Sequence, residues 1–182
     1  MAQSLSIIHL GDPRLRLVAN PVEQIDDRLQ MLIDNLIWTA EKTNGVGIAA
    51  PQVGASLRLF IVASRPNERY PHAPLMNPTA MINPRITAHS DAEVLGWEGC
   101  LSVPEQRGQI SRYQDIEVEY CDRAGHLQKQ VLTDFVARIF QHEHDHLEGA
   151  VFVDRVDHPS RLISEADYFA RFTAVPASQG SE

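Results

Sequence analysis

The sequence predicts an α+β domain in which antiparallel strands pack around a central helix, with an N-terminal and a C-terminal helix outside. Two stretches with helical apolar spacing and several short runs of strand character carry this prediction. In the first helical stretch Ile25, Leu29, Leu32, Ile33, Leu36, Ile37 and Ala40 fall on one face. In the second, Phe135, Ile139, His142 and His146 share a face, spaced 4, 3 and 4 residues apart. Between them, strand-like runs occur near residues 57–63, 82–87, 116–120 and 127–132.

The opening 22 residues carry two prolines and read as an extended arm. The first helix is expected over about 24–43, closed by Asn44-Gly45, because the residue past a helix end takes a left-handed conformation that Gly and Asn tolerate. Residues 57–63 form a short apolar run suited to a buried strand, and 64–78 hold four prolines, which predicts a long loop. Strands follow at 82–87 and 116–120, and Asp122-Arg123-Ala124-Gly125 turns into another at about 127–132. Thr133 or Asp134 can cap the central helix, which runs to about Glu148 and stops at Gly149. Residues 151–153 suit a short strand and 160–172 a third helix, while 173–182 read as a flexible tail. No repeat or linker divides the chain, so residues 1–172 are expected to form one domain.

A length of 182 residues is enough to bury a substantial core, and 43% hydrophobic with 22% charged residues is an ordinary globular balance. The apolar runs fall far short of the roughly 20 residues that cross a bilayer. The first residues lack the basic flank and apolar core of a secretory signal, so a cytoplasmic location is expected. With 24 acidic against 16 basic residues the formal charge is −8, and no Lys/Arg cluster interrupts it. Direct nucleic-acid binding, which needs a stripe of cations, is not expected, nor is binding to an acidic membrane surface. A monomer is expected. Of the two cysteines, Cys121 ends an alternating strand and reads as packing, whereas Cys100 sits in a Gly-punctuated loop.

The chemistry concentrates in three places. In His142-Glu143-His144-Asp145-His146 the outer histidines are four apart, so on a helix both imidazoles can bind one metal with Glu143 beside it to move protons. His144 faces away and is expected in solvent; Asp145 suits either orienting a neighbour or a surface salt bridge. A catalytic metal site takes a third protein ligand and keeps one position open. Cys100, a soft donor next to Gly99, is the leading candidate. The third place is Gly45-Val46-Gly47-Ile48-Ala49-Ala50-Pro51-Gln52-Val53-Gly54, whose small residues let a chain approach closely and whose Gln52 offers an amide donor for an oxyanion. It lacks the Lys-Ser/Thr ending of a phosphate loop.

Taken together, Gly45-Val46-Gly47-Ile48-Ala49-Ala50-Pro51-Gln52, Glu98-Gly99-Cys100-Leu101-Ser102 and Gln141-His142-Glu143-His144-Asp145-His146-Leu147 resemble the three motifs of the peptide deformylase family, in the family's order. The similarity spans about residues 5–156. The resemblance implies removal of the formyl group from the N-terminal formylmethionine of newly made polypeptides. It implies one divalent metal ion, Fe(II) in the native state with Zn(II) or another divalent ion as substitutes, bound by Cys100, His142 and His146. Glu143 matches the general acid/base, and Gln52 with the backbone N–H of Leu101 match the oxyanion donors. Val46, Gly47 and Gly99 match positions that bind the substrate backbone like an added strand. Glu98 borders the region that accepts the methionine side chain, and Arg107 lies near its rim. N-formylmethionyl nascent peptides are the implied partners, with proximity to the ribosome carried by family analogy alone. The first two motifs stand further apart than in the shortest family members; the 64–78 loop accounts for this and is expected to edge the cleft. Two other readings remain: a zinc metallopeptidase of the HExxH type, with Glu165 as third ligand, and a non-catalytic metal- or peptide-binding module.

Overall fold

Two antiparallel sheets sandwich one helix. The computed structural model describes residues 2–172, so the expected tail at 173–182 lies outside the described residues. In chain order the elements are α1 (Asp27–Lys42), β1 (Gly47–Ala49), β2 (Leu59–Val62), β3 (Thr79–His89), β4 (Glu93–Cys100) and β5 (Val103–Tyr113). There follow β6 (Asp115–Cys121), β7 (Leu127–Thr133), α2 (Asp134–Leu147), β8 (Leu162–Ser164) and α3 (Glu165–Phe172). The larger sheet has the order β1-β2-β3-β6-β7 and the smaller one β4-β5-β8. The fold is α+β, as the patterning predicts.

The period of two in β2 explains the layering. Leu59 and Ile61 face α1, packing with Leu29, Ile33, Leu36 and Ala40. Phe60 and Val62 face the other way, into a core with Ala137, Ile139, Phe140 and Leu147 of α2. Phe60 and Phe140 meet edge to face with ring centroids 5.0 Å apart, a favourable aromatic geometry. Opposite that apolar face, α2 turns polar groups toward the small sheet. Gln141 exchanges hydrogen bonds with the Tyr113 backbone (3.1 and 2.9 Å), and Arg138 donates to the Ile110 carbonyl at 3.0 Å. The helix is therefore buried on both sides, one by packing and one by satisfied polar contacts.

Helix ends follow local chemistry. The Asp26 carboxylate accepts from the Leu29 N–H at 2.9 Å, capping α1. At its far end Asn44 takes the left-handed conformation (φ 52°). Thr133 is the cap residue of α2 but makes no side-chain cap bond. Gly149 (φ 73°) ends α2 where the chain passes so close to the Arg16 backbone that a Cβ would sit 2.6 Å from its carbonyl oxygen.

Three expectations need correction. Residues 151–153 are not a strand: Phe152–Arg155 forms a 3₁₀ turn, because the Asp154 carboxylate accepts from the Val151 N–H at 2.8 Å. The helix expected over 160–172 is shorter, beginning at Glu165, since Pro159–Arg161 forms a 3₁₀ turn and Leu162–Ser164 pairs with β5. The Cys100 segment is not a loop but the end of β4, in a long β4–β5 hairpin with an irregular register between Glu98 and Cys100. That hairpin lacks an alternating apolar pattern because its inward positions hold Glu98, Arg107 and Arg112.

Candidate metal centre

The β4–β5 hairpin crosses the polar face of α2 and brings Cys100 onto the two helix histidines. One ligand atom from each of Cys100, His142 and His146 lies within 4.8 Å of the others, and Cys100 Sγ is 3.3 Å from His146 Nε2. Donors each about 2.0–2.3 Å from one tetrahedral centre stand roughly 3.5 Å apart, so the cluster has the scale of a metal site. A thiolate with two imidazoles suits a borderline transition metal better than a hard cation such as Mg(II) or Ca(II). All three are at least nine-tenths buried. Burial pushes the Cys100 thiol up, but His146 and His142 beside it outweigh that and bring it down to about 5, ready to ligate as thiolate.

Glu98 sets the orientation of His142. Its carboxylate accepts from His142 Nδ1 at 2.9 Å, which leaves Nε2 for the cluster. The same carboxylate accepts two bonds from Arg112 (2.9 Å each) and one from Arg138 (2.8 Å). Burial raises the Glu98 pKa, yet Arg112 and His142 hold it well below the usual carboxylate range. Arg112 also donates to Asp145 at 2.7 Å, and Asp145 pairs with Arg155. Asp145 thus fills both roles open to it: it is 4% exposed and anchors the arginine beneath Glu98, and it also pairs with the half-exposed Arg155. His144 is not in solvent but half-buried, stacked on Phe140 with centroids 6.1 Å apart.

Glu143 reaches the cleft between α2 and β1. A Cβ on Gly47 would overlap Glu143 Oε1 and come within 2.9 Å of Ile139 Cγ2, so only glycine admits the carboxylate there. Glu143 Oε2 and His146 Nδ1 are buried side-chain atoms with no hydrogen-bond partner among the described residues. Burial pushes the Glu143 carboxyl up to about 7, although His142 and His146 oppose this. A buried carboxyl with one idle oxygen beside three metal-ligand types is the arrangement of a group that takes up and returns a proton. Gln52, 1% exposed, is held by the Ala49 N–H donating to its Oε1 at 2.8 Å. Its amide nitrogen then points to Cys100 Sγ (3.4 Å) and Ser102 Oγ (3.2 Å).

One open cleft collects these groups. Val46, Gly47, Glu98, Gly99, Leu101 and Arg107 line it together with Cys100, His142, Gln52 and Glu143. Of the metal set His146 stands behind, outside the lining. Because β1 is an edge strand of its sheet, its free side offers backbone groups to an added strand. Arg107 is buried (1% exposed), and its guanidinium passes under Gly99, where a Cβ would come within 2.9 Å of Cζ. The 64–78 loop edges the cleft through Arg69 and Tyr70, the latter ring 5.0 Å from Phe135.

Sequence reasoning missed Arg112 and Arg138, which complete the buried network. Arg138 carried a readable signal: it lies four residues before His142, on the face that leads to the ligands. Glu165 is not in the ligand cluster; it is paired with Arg107 at 2.9 Å and Arg69 at 3.3 Å.

A family model described as polypeptide deformylase matches residues 4–162. A protein from Nostoc sp. named peptide deformylase 2 is 65% identical over 165 residues, covering 90% of this chain and 92% of its own. Another of that name, from Shewanella oneidensis, is 48% identical over 159 residues, covering 87% and 88%. Among solved structures, the class I type b peptide deformylase from Acinetobacter baumannii bound to Met-Ala-Ser is similar at a TM-score of 0.83 and 47% identity, covering 86% of this chain and 100% of that one. A peptide deformylase from Synechococcus elongatus in complex with actinonin matches at a TM-score of 0.77 and 36% identity, covering 88% and 84%.

Proposed function

The chain belongs to the peptide deformylase family, and on that premise we propose that it removes the formyl group from the N-terminal formylmethionine of newly made polypeptides, as a metal-dependent amide hydrolase. The observation that carries this reading is the convergence of Cys100, His142 and His146 beside the idle carboxylate oxygen of Glu143.

Cys100, His142 and His146 would hold one divalent ion, Fe(II) in the native state, with Zn(II) or another divalent ion able to replace it. When bound, such an ion polarises a carbonyl oxygen and lowers the pKa of water from about 15.7 toward 7. Glu143 takes the proton lost by the attacking water and delivers it to the departing amine nitrogen, so that the amide and water yield formate and a free amino terminus. The Gln52 amide and the Leu101 N–H donate to the oxygen that gains negative charge, each worth on the order of 3 kcal/mol. Val46, Gly47 and Gly99 align the peptide backbone as an added strand. Glu98 borders the region for the methionine side chain and also keeps His142 turned toward the ion, while Arg107 supports that wall from beneath Gly99. Residues 1–172 act as one catalytic domain. The protein works as a cytoplasmic monomer, meeting nascent chains near the ribosome without binding nucleic acid; no described helix is long and apolar enough to cross a membrane.

The metallopeptidase reading is not favoured, because Glu165, its third ligand, is engaged by two arginines. Anaerobic purification with metal analysis, followed by formate release from formyl-Met-Ala-Ser, tests the proposal. Turnover that disappears in Glu143→Ala supports it. Tight peptide binding without formate release would make the chain a binding module instead.

A further inference from the structure

A second charged cluster lines the same cleft; of its members only Arg107 has a part above, as support for the wall beneath Gly99. Arg69 comes from the 64–78 loop, Arg107 from β5 and Glu165 from the start of α3. A single carboxylate oxygen, Glu165 Oε1, receives Arg107 Nη2 at 2.9 Å, Arg107 Nε at 3.2 Å and Arg69 Nε at 3.3 Å. The remaining Arg107 amino group donates to the Tyr70 hydroxyl at 3.0 Å. Two guanidinium groups thus share one counter-charge, and the cluster keeps a net positive charge in a chain of formal charge −8. Arg107 is buried, but Arg69 (34%) and Glu165 (25%) retain side-chain exposure to the cleft. Guanidinium pairs of this kind are carboxylate-binding groups. Here the carboxylate they hold is the protein's own.

We propose that Arg69 and Arg107 form an anion-receiving subsite whose resident occupant is Glu165, and that Glu165 thereby sets how strongly the cleft takes peptides bearing a carboxylate. The inference rests on the deformylase reading, and it names the specificity-determining residue of that site. A carboxylate on an incoming peptide must compete with Glu165 for Arg69, or lie beside a like charge. With Glu165 neutral, that competition vanishes and acidic peptides gain. Peptides without a carboxylate gain nothing from the change.

The test compares formyl-Met-Ala-Ser amide with three peptides carrying one carboxylate each, on the second residue, on the third residue, or at the free chain end. For each, KM is measured relative to the amide in wild type, Glu165→Gln, Arg69→Gln and the double variant. In E165Q the relative KM of at least one acidic peptide is expected to fall about fivefold, the scale of one partly exposed ion pair. R69Q should raise it, and the double variant should return it toward wild type. Calorimetric binding of the matching deformylated peptides should show the same order. Trp97, whose ring lies 5.6 Å from Tyr168 and 5.7 Å from Phe172, reports by fluorescence whether α3 stays docked. Unchanged ratios for all three acidic peptides with α3 docked, or an equal rise in KM for acids and amide, overturn the proposal. Should E165Q lose α3, R69Q alone decides, a flat ratio counting against the subsite. Absence of formate from every peptide with wild type would instead sink the deformylase reading.

Discussion

Replacing Gly47 by alanine separates catalytic geometry from stability. The Gly47 backbone is not among those with positive φ, so alanine brings no conformational strain; its effect is steric. The added Cβ overlaps Glu143 Oε1, stands 2.9 Å from Glu143 Cδ and 2.9 Å from Ile139 Cγ2. Ordinary carbon contacts lie at about 3.5–4.0 Å, so the carboxylate must move by roughly an ångström while Ile139 gives by a similar amount. Glu143 is the end of a flexible side chain and can swing, so overpacking should cost about 1–2 kcal/mol. That corresponds to a fall in Tm of roughly 2–8 °C for a domain of this size. Catalysis tolerates displacement far less: a misplacement of about 1 Å can remove 10²-fold in rate, near 2.7 kcal/mol in the barrier. The expected result is a kcat for formate release about 100-fold below wild type, with a native circular dichroism spectrum and unchanged metal content. Gly45→Ala is the companion, since its Cβ meets Leu101 Cδ1 only at 3.2 Å and should cost less than tenfold. A Gly47→Ala enzyme with kcat within threefold of wild type would refute the placement of Glu143 as the proton carrier.

Glu98→Gln leaves Arg112 and Arg138 without their shared carboxylate and takes the charged acceptor from His142. Chemical denaturation should show a loss of about 3–5 kcal/mol, and metal titration a 10–100-fold weaker affinity; wild-type values in both would remove Glu98 from the support of the site. Treatment with a strong chelator should abolish formate release and expose the Cys100 thiol to a disulfide reagent, with activity restored by Fe(II) or Zn(II). Cys100→Ser should bind little metal from the outset, and full metal occupancy in that variant would exclude the thiolate from the ligand set. Burial raises the Asp154 pKa, but Arg16 and the Val151 N–H lower it further, so the folded value lies below the unfolded one. Its stabilisation is therefore fully present above about pH 3.9 and is lost as the pH falls through the folded pKa. Asp154→Asn should cost no more than about 1 kcal/mol at pH 7, since the pair is well exposed, and should flatten the decline of the urea midpoint below pH 4. An equally steep decline in the variant would show that the pair contributes nothing.

Local rules of the chain account for much of this molecule. The apolar spacing of Leu29, Ile33, Leu36 and Ala40 is that of a helix covering a sheet, and α1 does so. The four-residue spacing of His142 and His146 puts both on one face wherever α2 lies, because helix geometry alone decides it. The motif strings also locate Cys100, Gln52 and Glu143 without coordinates. What periodicity could not reveal is the β4–β5 hairpin. Its inward side chains are charged, and a pattern search expects apolar residues there.

Only the tertiary structure decided what those charges do. Glu98 gathers His142 and Arg138 from α2 and Arg112 from β5, and Glu165 is bound by arginines from a loop and a strand. A buried carboxylate such as Glu98 is stable only when its partners are assembled around it, and those partners are 14 to 44 residues away in the chain. Sequence determined which side chains could ligate and which backbone could turn. Which of them meet was settled by the packing of two sheets on one helix, since desolvated charges have to find each other across that interface.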